Sequence, residues 1–441
     1  MKKFEQTGDL AVLGASPAFV EPLHVGRPNI GDREAFLARV NDILDRRWLS
    51  NNGPMVQDFE KRVAELLGVK HVIAMCNGTI ALEIAIRALE LKGEVIVPSY
   101  TFIATAHALA WQEITPVFAD VLPGTHGLDP AAVERMITPR TTGIIGVHLW
   151  GHPCDTDGLE ELARARGLEI MYDASHAFAV GHRGRMIGSF GRCEVFSFHA
   201  TKFFNTFEGG AITTDDDELA KKMRLMKNFG FSGFDNVIYP GTNGKMTEIC
   251  AAMGLTGLDS VDQFMAVNQR NYRSYGERLK GVPGIRLLPF AEDERRNYQY
   301  VVIEVGPEYP VPRDALVRLL HAENVLARKY FWPGCHRMLP YREYYPHAGM
   351  MLPVTNRVAD SVVVLPTGTT IDDTHIDAIS GLIRLLAKPG VWATLQGRAQ
   401  GFCWPIRSLR KKNCATGGSV TWGAAYASPA WLRSTIPRGS E

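Results

Sequence analysis

The residues best placed to do chemistry lie in Phe196-Ser197-Phe198-His199-Ala200-Thr201-Lys202-Phe203-Phe204-Asn205-Thr206-Phe207-Glu208-Gly209-Gly210, where one lysine stands among aromatic neighbours. Burial disfavours an ammonium, so a lysine in this setting tends towards the neutral amine, the form that attacks carbonyls to make Schiff bases. The competing reading is a surface lysine with its stem along apolar neighbours. Three features favour Lys202 as a covalent anchor. Ser197, His199 and Thr201 supply polar groups beside it, Gly209-Gly210 permits close backbone approach, and a carboxylate lies upstream. That carboxylate is Asp173, at the end of the strand-like run Leu168-Glu169-Ile170-Met171-Tyr172-Asp173. A carboxylate there can hold a protonated pyridine nitrogen and so make the ring an electron sink. Taken alone, Asp173 fits a helix cap or an arginine partner better.

These groups need a scaffold, and the order of the elements supplies one. His71-Val72-Ile73-Ala74-Met75 reads as a buried strand running into Cys76-Asn77-Gly78-Thr79 and then a helical pattern from Ile80 to Ile86. Unpaired N–H groups and the helix dipole converge at such a turn and make an anion site, so Gly78 and Thr79 are candidate phosphate ligands. Thr79 fits a helix cap equally well. Glu94–Pro98 is the next strand, and Ser99-Tyr100-Thr101-Phe102 lies just past its end. Ligands of open α/β sheets gather at the carboxyl ends of strands, where Tyr100 or Phe102 can stack on a planar ring; the alternative is two core aromatics. A phosphate turn, an aromatic shelf, a strand-end aspartate and then a lysine are the parts that a phosphorylated pyridine cofactor needs.

The remaining pattern predicts an α/β fold with a mainly parallel sheet and helices on both faces. Helices are expected over Asp32–Arg47, Val56–Leu67, Ile103–Gln112, Asp217–Asn228, Thr247–Leu258 and Val261–Leu279, with strands over Pro116–Asp120, Gly143–His148 and Ala211–Thr214. Residues 1–30 read as an arm that either packs on a partner subunit or stays loose. Residues 31–283 read as a large cofactor-binding domain, 284–388 as a smaller C-terminal domain of short strands and helices, and 389–441 as a poorly ordered tail without function. Trp48 either joins the core or floors a pocket. Tyr330, His336 and His199 are candidate substrate contacts. The Gly-aromatic loop Phe229–Phe234 and the run Gly241–Met246 are too rich in glycine for core and are expected to line a site or an interface.

Composition narrows the partners. The chain has 441 residues, 48 Lys+Arg against 47 Asp+Glu, and a formal charge of +1, so no basic surface for nucleic acid is implied. Small molecules or a second copy are the expected partners. Seven scattered cysteines without a CxxC pair argue against a disulfide framework and against a zinc site, so no metal is expected. A reducing cytoplasm is the expected location, and no apolar run approaches the length needed to span a membrane.

The chain resembles the DegT/DnrJ/EryC1/StrS family of pyridoxal phosphate-dependent sugar aminotransferases over roughly residues 25–388. The resemblance is carried by Trp48-Leu49-Ser50-Asn51-Asn52-Gly53-Pro54, Asn77-Gly78-Thr79, Pro98-Ser99-Tyr100-Thr101-Phe102, Asp173-Ala174-Ser175-His176-Ala177, the Lys202 segment, and Gly241-Thr242-Asn243-Gly244-Lys245-Met246-Thr247-Glu248. Each is modest singly; in this order they are highly specific. The resemblance implies a fold-type I enzyme, aspartate aminotransferase-like, with a seven-stranded sheet, a small domain and a homodimer with shared sites. It implies that Lys202 anchors pyridoxal 5'-phosphate, Asp173 pairs with the ring nitrogen, Phe102 stacks on the ring, and Gly78, Thr79 and Ser197 take the phosphate. Asn243 is implied to reach the partner's phosphate. His176 stands near the ring hydroxyl, where many members carry Gln.

His176 and the Lys202 segment are most similar to members that aminate carbon four of TDP-4-keto-6-deoxyglucose with L-glutamate, in deoxyaminosugar pathways such as those of antibiotics. Relatives with His at the lysine position are sugar dehydratases. A 3-keto sugar aminotransferase would share every cofactor residue and stays open as the alternative. A desulfurase or lyase would want a nucleophilic cysteine on a mobile loop, and none of the seven stands in that context. A regulator that kept only the fold would be expected to lose Lys202 or Asp173, and both are present.

Overall fold

The computed structural model describes residues 2–399. A short strand, β1 (Leu23–His24), precedes β2 (His71–Met75), β3 (Glu94–Pro98), β4 (Thr115–Ala119), β5 (Thr141–Val147) and β6 (Glu169–Asp173). A small hairpin of β7 (Gly181–His182) and β8 (Arg185–Met186) leads to β9 (Glu194–Ser197) and β10 (Gly210–Thr214). One seven-stranded sheet has the order β2-β10-β9-β6-β5-β3-β4, and only β10 runs antiparallel to its neighbours. Every residue of β3 and of β10 is buried, as expected of strands covered on both faces. The mainly parallel sheet therefore stands as read from the sequence. The strand β9 is an addition: its four residues run straight into the Lys202 loop and leave no pattern long enough to read.

The helix Pro54–Leu67 shows how side-chain spacing builds this layer. Val56, Phe59, Val63 and Leu67 recur at helical spacing and are buried. Pro54 occupies the first turn, where its missing N–H costs nothing, and the Glu248 carboxylate accepts from the backbone N–H groups of Met55 at 2.8 Å and Val56 at 3.1 Å. The facing helix Glu248–Asp259 can approach because Gly254 has no side chain; a Cβ there would lie 2.5 Å from the Phe59 ring. Phe59, Phe178, Phe196, Phe198 and Phe204 then form one aromatic cluster, with Phe178 and Phe204 centroids 4.5 Å apart. This cluster lies under the Lys202 loop, since Phe198 and Phe204 flank that lysine on both sides.

Strands β11 (Ile285–Leu287), β12 (Val301–Val305) and β14 (Val362–Leu365) make a separate antiparallel sheet, and β13 (Val325–Leu326) pairs in parallel with β1. The alternative of a loose arm is set aside, because the arm is held by its own chain. The buried Glu323 carboxylate accepts from Lys2 Nζ at 2.8 Å and from the N–H groups of Ala11 and Ala18 at 2.7 and 2.8 Å. A buried carboxylate must be satisfied in this way, and sequence spacing cannot show a partner more than three hundred residues away. One correction concerns the chain's end. A helix spans Val391–Ala399, where irregular chain was expected from Pro389 onward. Val391 and Leu395, four apart, give that short helix one apolar face. The rest of the expected tail, 400–441, lies outside the described residues. Among the described residues no helix is long and apolar enough to cross a membrane, and no cluster of His, Cys, Asp and Glu is arranged to hold a metal ion.

Candidate active site

The strands β2, β3, β6 and β9 end at one edge of the sheet, and the residues singled out in the sequence ride on those ends. Asp173 is the last residue of β6 and is 5% exposed. Its two oxygens are held by different donors: the Thr105 hydroxyl donates to Oδ2 at 2.8 Å and the Ser175 N–H to Oδ1 at 3.0 Å. A carboxylate oriented by two donors still has lone pairs for a protonated nitrogen in front of it. Asp173 is thus positioned by its neighbours and does not cap a helix or pair with an arginine. Thr105, which escaped the sequence reading, lies three residues beyond Phe102 on the helix Ala104–Ala110, and only the sheet order brings it to β6.

The turn after β2 opens the helix Gly78–Ala88. The cap is Asn77, whose side chain accepts from the Ile80 N–H at 2.8 Å, so Thr79 is released from the capping role and stands exposed. Gly78 faces Ser197 at the end of β9: a Cβ on Gly78 would sit 2.9 Å from Ser197 Cβ and 3.3 Å from its Oγ. The helix N-terminus and the Ser197 hydroxyl therefore converge on one small space, the requirement for a phosphate. Gly210 closes the floor, paired with both Met75 and Ser197, and a Cβ there would strike the Asn77 carbonyl carbon at 2.8 Å. Gly78→Ala is expected to weaken pyridoxal phosphate binding about 10-fold by overpacking this cradle. A fluorescence titration of the cofactor-free apoprotein checks it, with the unfolding temperature as control; unchanged affinity contradicts the cradle.

Lys202 sits in the loop between β9 and β10, half-buried above the aromatic cluster. Burial lowers its pKa to about 8, and the nearby Asp173 charge opposes only part of that shift. The loop is fixed on both sides. Thr206 N–H donates to the Phe198 carbonyl at 2.9 Å, Asn29 Nδ2 donates to the Phe203 carbonyl at 2.8 Å, and Asn205 Nδ2 donates to the Asn29 carbonyl at 2.9 Å. A reactive amine is thereby held on a rigid frame beside the strand-end carboxylate.

Aromatic groups close the site. Tyr100 is fully buried and donates its hydroxyl to the Tyr330 carbonyl at 2.6 Å, so it belongs to the core; Phe102 is 49% exposed and is the ring left at the surface of the cleft. Phe331, from the far part of the chain, meets Phe102 edge-on at 6.3 Å and stacks on His176 at 5.9 Å. His176 is buried, and burial followed by the Lys202 charge holds its pKa well below the usual histidine value. Its Nδ1 accepts from the Trp150 backbone N–H at 3.3 Å. The ring proton is therefore on Nε2, which has no hydrogen-bond partner among the described residues.

The other candidates separate. Trp48 and His199 are about half exposed, and His199 Nδ1 is engaged with Thr201 Oγ1 at 2.9 Å. Tyr330 lines the Phe331 side, stacked on that ring at 5.1 Å. His336 is a correction: it is buried, with Nδ1 2.7 Å from Ser99 Oγ and Nε2 3.1 Å from Asn356 Oδ1, and burial pushes its pKa down to about 4. Both nitrogens are spent on holding the segment after β3 to the helix Pro353–Ser361, so none faces a substrate. Asn243 is exposed next to the cradle, accepting from Lys245 Nζ at 2.7 Å, while Gly244 takes the Cys76 N–H at 2.8 Å.

An amine of lowered pKa, a fixed carboxylate, an anion cradle and an Nε2–H donor are a fitting donor set for a phosphorylated pyridine aldehyde. Residues 31–384 match the DegT/DnrJ/EryC1/StrS aminotransferase family. A Shigella dysenteriae protein named dTDP-4-amino-4,6-dideoxy-D-glucose transaminase is 38% identical over 366 residues, covering 82% of this chain and 99% of that protein. A GDP-perosamine synthase of Caulobacter vibrioides is 39% identical over 307 residues, covering 68% and 82%. Among solved structures, DesI in the presence of its TDP-sugar product shares 47% identity with a TM-score of 0.84, covering 89% of this chain and 99% of DesI. The chain belongs to the DegT/DnrJ/EryC1/StrS aminotransferase family. Its fold is that of fold-type I transferases, and its cofactor is pyridoxal 5'-phosphate.

Proposed function

We propose that the protein transfers the amino group of L-glutamate to carbon four of TDP-4-keto-6-deoxy-D-glucose, giving TDP-4-amino-4,6-dideoxy-D-glucose. The observation that carries this reading is the 99% coverage of two proteins, one named for that amino sugar and one solved with a TDP-sugar product, by a chain that keeps Lys202 beside Asp173. When bound, pyridoxal 5'-phosphate supplies a carbonyl and an electron-withdrawing ring. Lys202 Nζ would anchor it and, once free, would be the base that takes the proton from the α-carbon of the bound amino acid. The same atom delivers a proton in the second half-reaction, onto the sugar carbon. Asp173 keeps a proton on the ring nitrogen, His176 Nε2–H donates to the ring hydroxyl, and Gly78, Thr79 and Ser197 bind the phosphate. Phe102 packs on the ring face.

The chain is proposed to divide into a large domain, 31–283, and a small one, 284–388, with Phe331 and Tyr330 brought to the cleft from the second. It is also proposed to act as a homodimer in the cytoplasm. Trp48, Phe207, Phe229, Phe231 and Ile249 leave apolar surface exposed, more than single scattered residues need, which supports the dimer; the exposed Asn243 is proposed to reach a partner's phosphate. An absorption titration tests the function. The visible cofactor band is expected to disappear with L-glutamate and return with TDP-4-keto-6-deoxyglucose. Return only with a 3-keto sugar would move the reaction to the alternative position, and response to neither sugar would overturn it.

A further inference from the structure

A hydrogen-bonded chain runs from the site to the antiparallel sheet. The Trp150 backbone N–H donates to His176 Nδ1 at 3.3 Å, and the Trp150 indole Nε1–H donates to His126 Nδ1 at 3.1 Å. His126 Nε2 lies 2.7 Å from Glu304 Oε1 on β12, and the Glu304 carboxylate accepts from Arg286 Nε on β11 at 3.0 Å. Chemistry fixes the direction of each link. An indole or backbone N–H only donates, so Nδ1 of each histidine is an acceptor and each proton sits on Nε2. His126 then donates to Glu304, and His176 presents its remaining N–H outward.

The backbone is bent to make these links. Trp150 has φ 63° and His126 φ 62°, a left-handed conformation that bulky side chains rarely adopt. Both are almost wholly buried, Trp150 at 0% and His126 at 1% exposure. Gly151 follows at φ 90°, and a Cβ there would lie 2.6 Å from Asn297 Oδ1. Asn297 Nδ2 in turn donates to the His176 carbonyl at 2.9 Å, so both the ring and the backbone of His176 are held. The transamination steps above use none of His126, Trp150, Glu304 or Arg286.

We propose that His126, Trp150 and Glu304 are positioning residues that hold His176 as an Nε2–H donor to the cofactor's ring hydroxyl and tie that donor to the sheet carrying Arg286. The proposal rests on the cofactor placement given above. His126→Leu breaks the chain, whereas His126→Gln can still accept from Trp150 and donate to Glu304. The measurement is the position of the visible band of the cofactor-loaded protein, together with cofactor affinity and thermal unfolding. His126→Leu is expected to move the band in the same direction as His176→Leu and to weaken cofactor binding about 10-fold, while His126→Gln restores the band. In the His176→Leu background, His126→Leu is expected to move it no further. If His126→Leu does not fold, Trp150→Phe, which removes only the indole donor and part of the ring, is expected to give the same displacement.

A band left unmoved by the chain-breaking variant, or moved equally with and without His176, overturns the proposal. A band unmoved by His176→Leu itself does so too. These outcomes are separate from failure of the function reading, which would appear as the absence of any cofactor band in the unaltered protein.

Discussion

Lys202→Ala is expected to lower turnover by at least about 10⁴-fold, the upper end of what one positioned acid–base group contributes, because it removes both the covalent anchor and the proton carrier. The fold is expected to persist. The side chain is half-buried, and the loop is secured by backbone and amide contacts of Asn29, Phe198, Phe203, Asn205 and Thr206 that the substitution leaves in place. Far-ultraviolet circular dichroism and a coupled 2-oxoglutarate assay read the two effects separately. The pKa of about 8 adds a pH signature to the unaltered apoprotein. The neutral amine is the attacking form and its fraction rises with pH. Cofactor capture is therefore expected to accelerate as pH rises through about 8 and to level off above it. Ordinary turnover in Lys202→Ala would contradict the assignment of this lysine.

Asp173→Asn is expected to cost about 10²–10³-fold in kcat/KM, the scale of removing one oriented electrostatic group at a reacting centre. The amide is nearly isosteric, yet it carries no charge to hold a proton on the ring nitrogen, and its NH₂ is a donor where the Thr105 hydroxyl or the Ser175 N–H now finds an acceptor. Steady-state kinetics with L-glutamate measure the loss, and the unfolding temperature separates it from a structural effect. Activity equal to the unaltered enzyme would show that the ring nitrogen does not rely on this carboxylate.

What the sequence made legible is what local pattern controls. The turn after β2, the carboxylate at the end of β6 and the lysine between aromatic residues each lie next to the element that places them, so strand, turn and helix signals were enough to bring Gly78, Asp173 and Lys202 to one edge. Contacts between distant segments were not legible. Thr105 reaches Asp173 only because β3 and β6 lie on either side of β5, Phe331 reaches His176 from the far side of β13, and Trp150 adopts a left-handed backbone that no residue type at that position announces. His336 shows the opposite case. A histidine next to an aromatic run looked like a substrate contact, and only the positions of Ser99 and Asn356 reveal that both its nitrogens are already used. The arm was unreadable for the same reason, since its anchors, the Glu323 carboxylate and the pairing of β1 with β13, lie in a distant part of the chain.

The central claim, amination at carbon four with glutamate as donor, is tested most directly by the fate of a labelled nitrogen. The loaded enzyme is incubated with ¹⁵N-glutamate and TDP-4-keto-6-deoxyglucose, and the product sugar is read by heteronuclear NMR. The expected result is ¹⁵N bonded to carbon four of a sugar still linked to TDP, with the label absent when Lys202 is replaced by Ala. Label on carbon three from a 3-keto substrate alone, or no label in any sugar, would contradict the account.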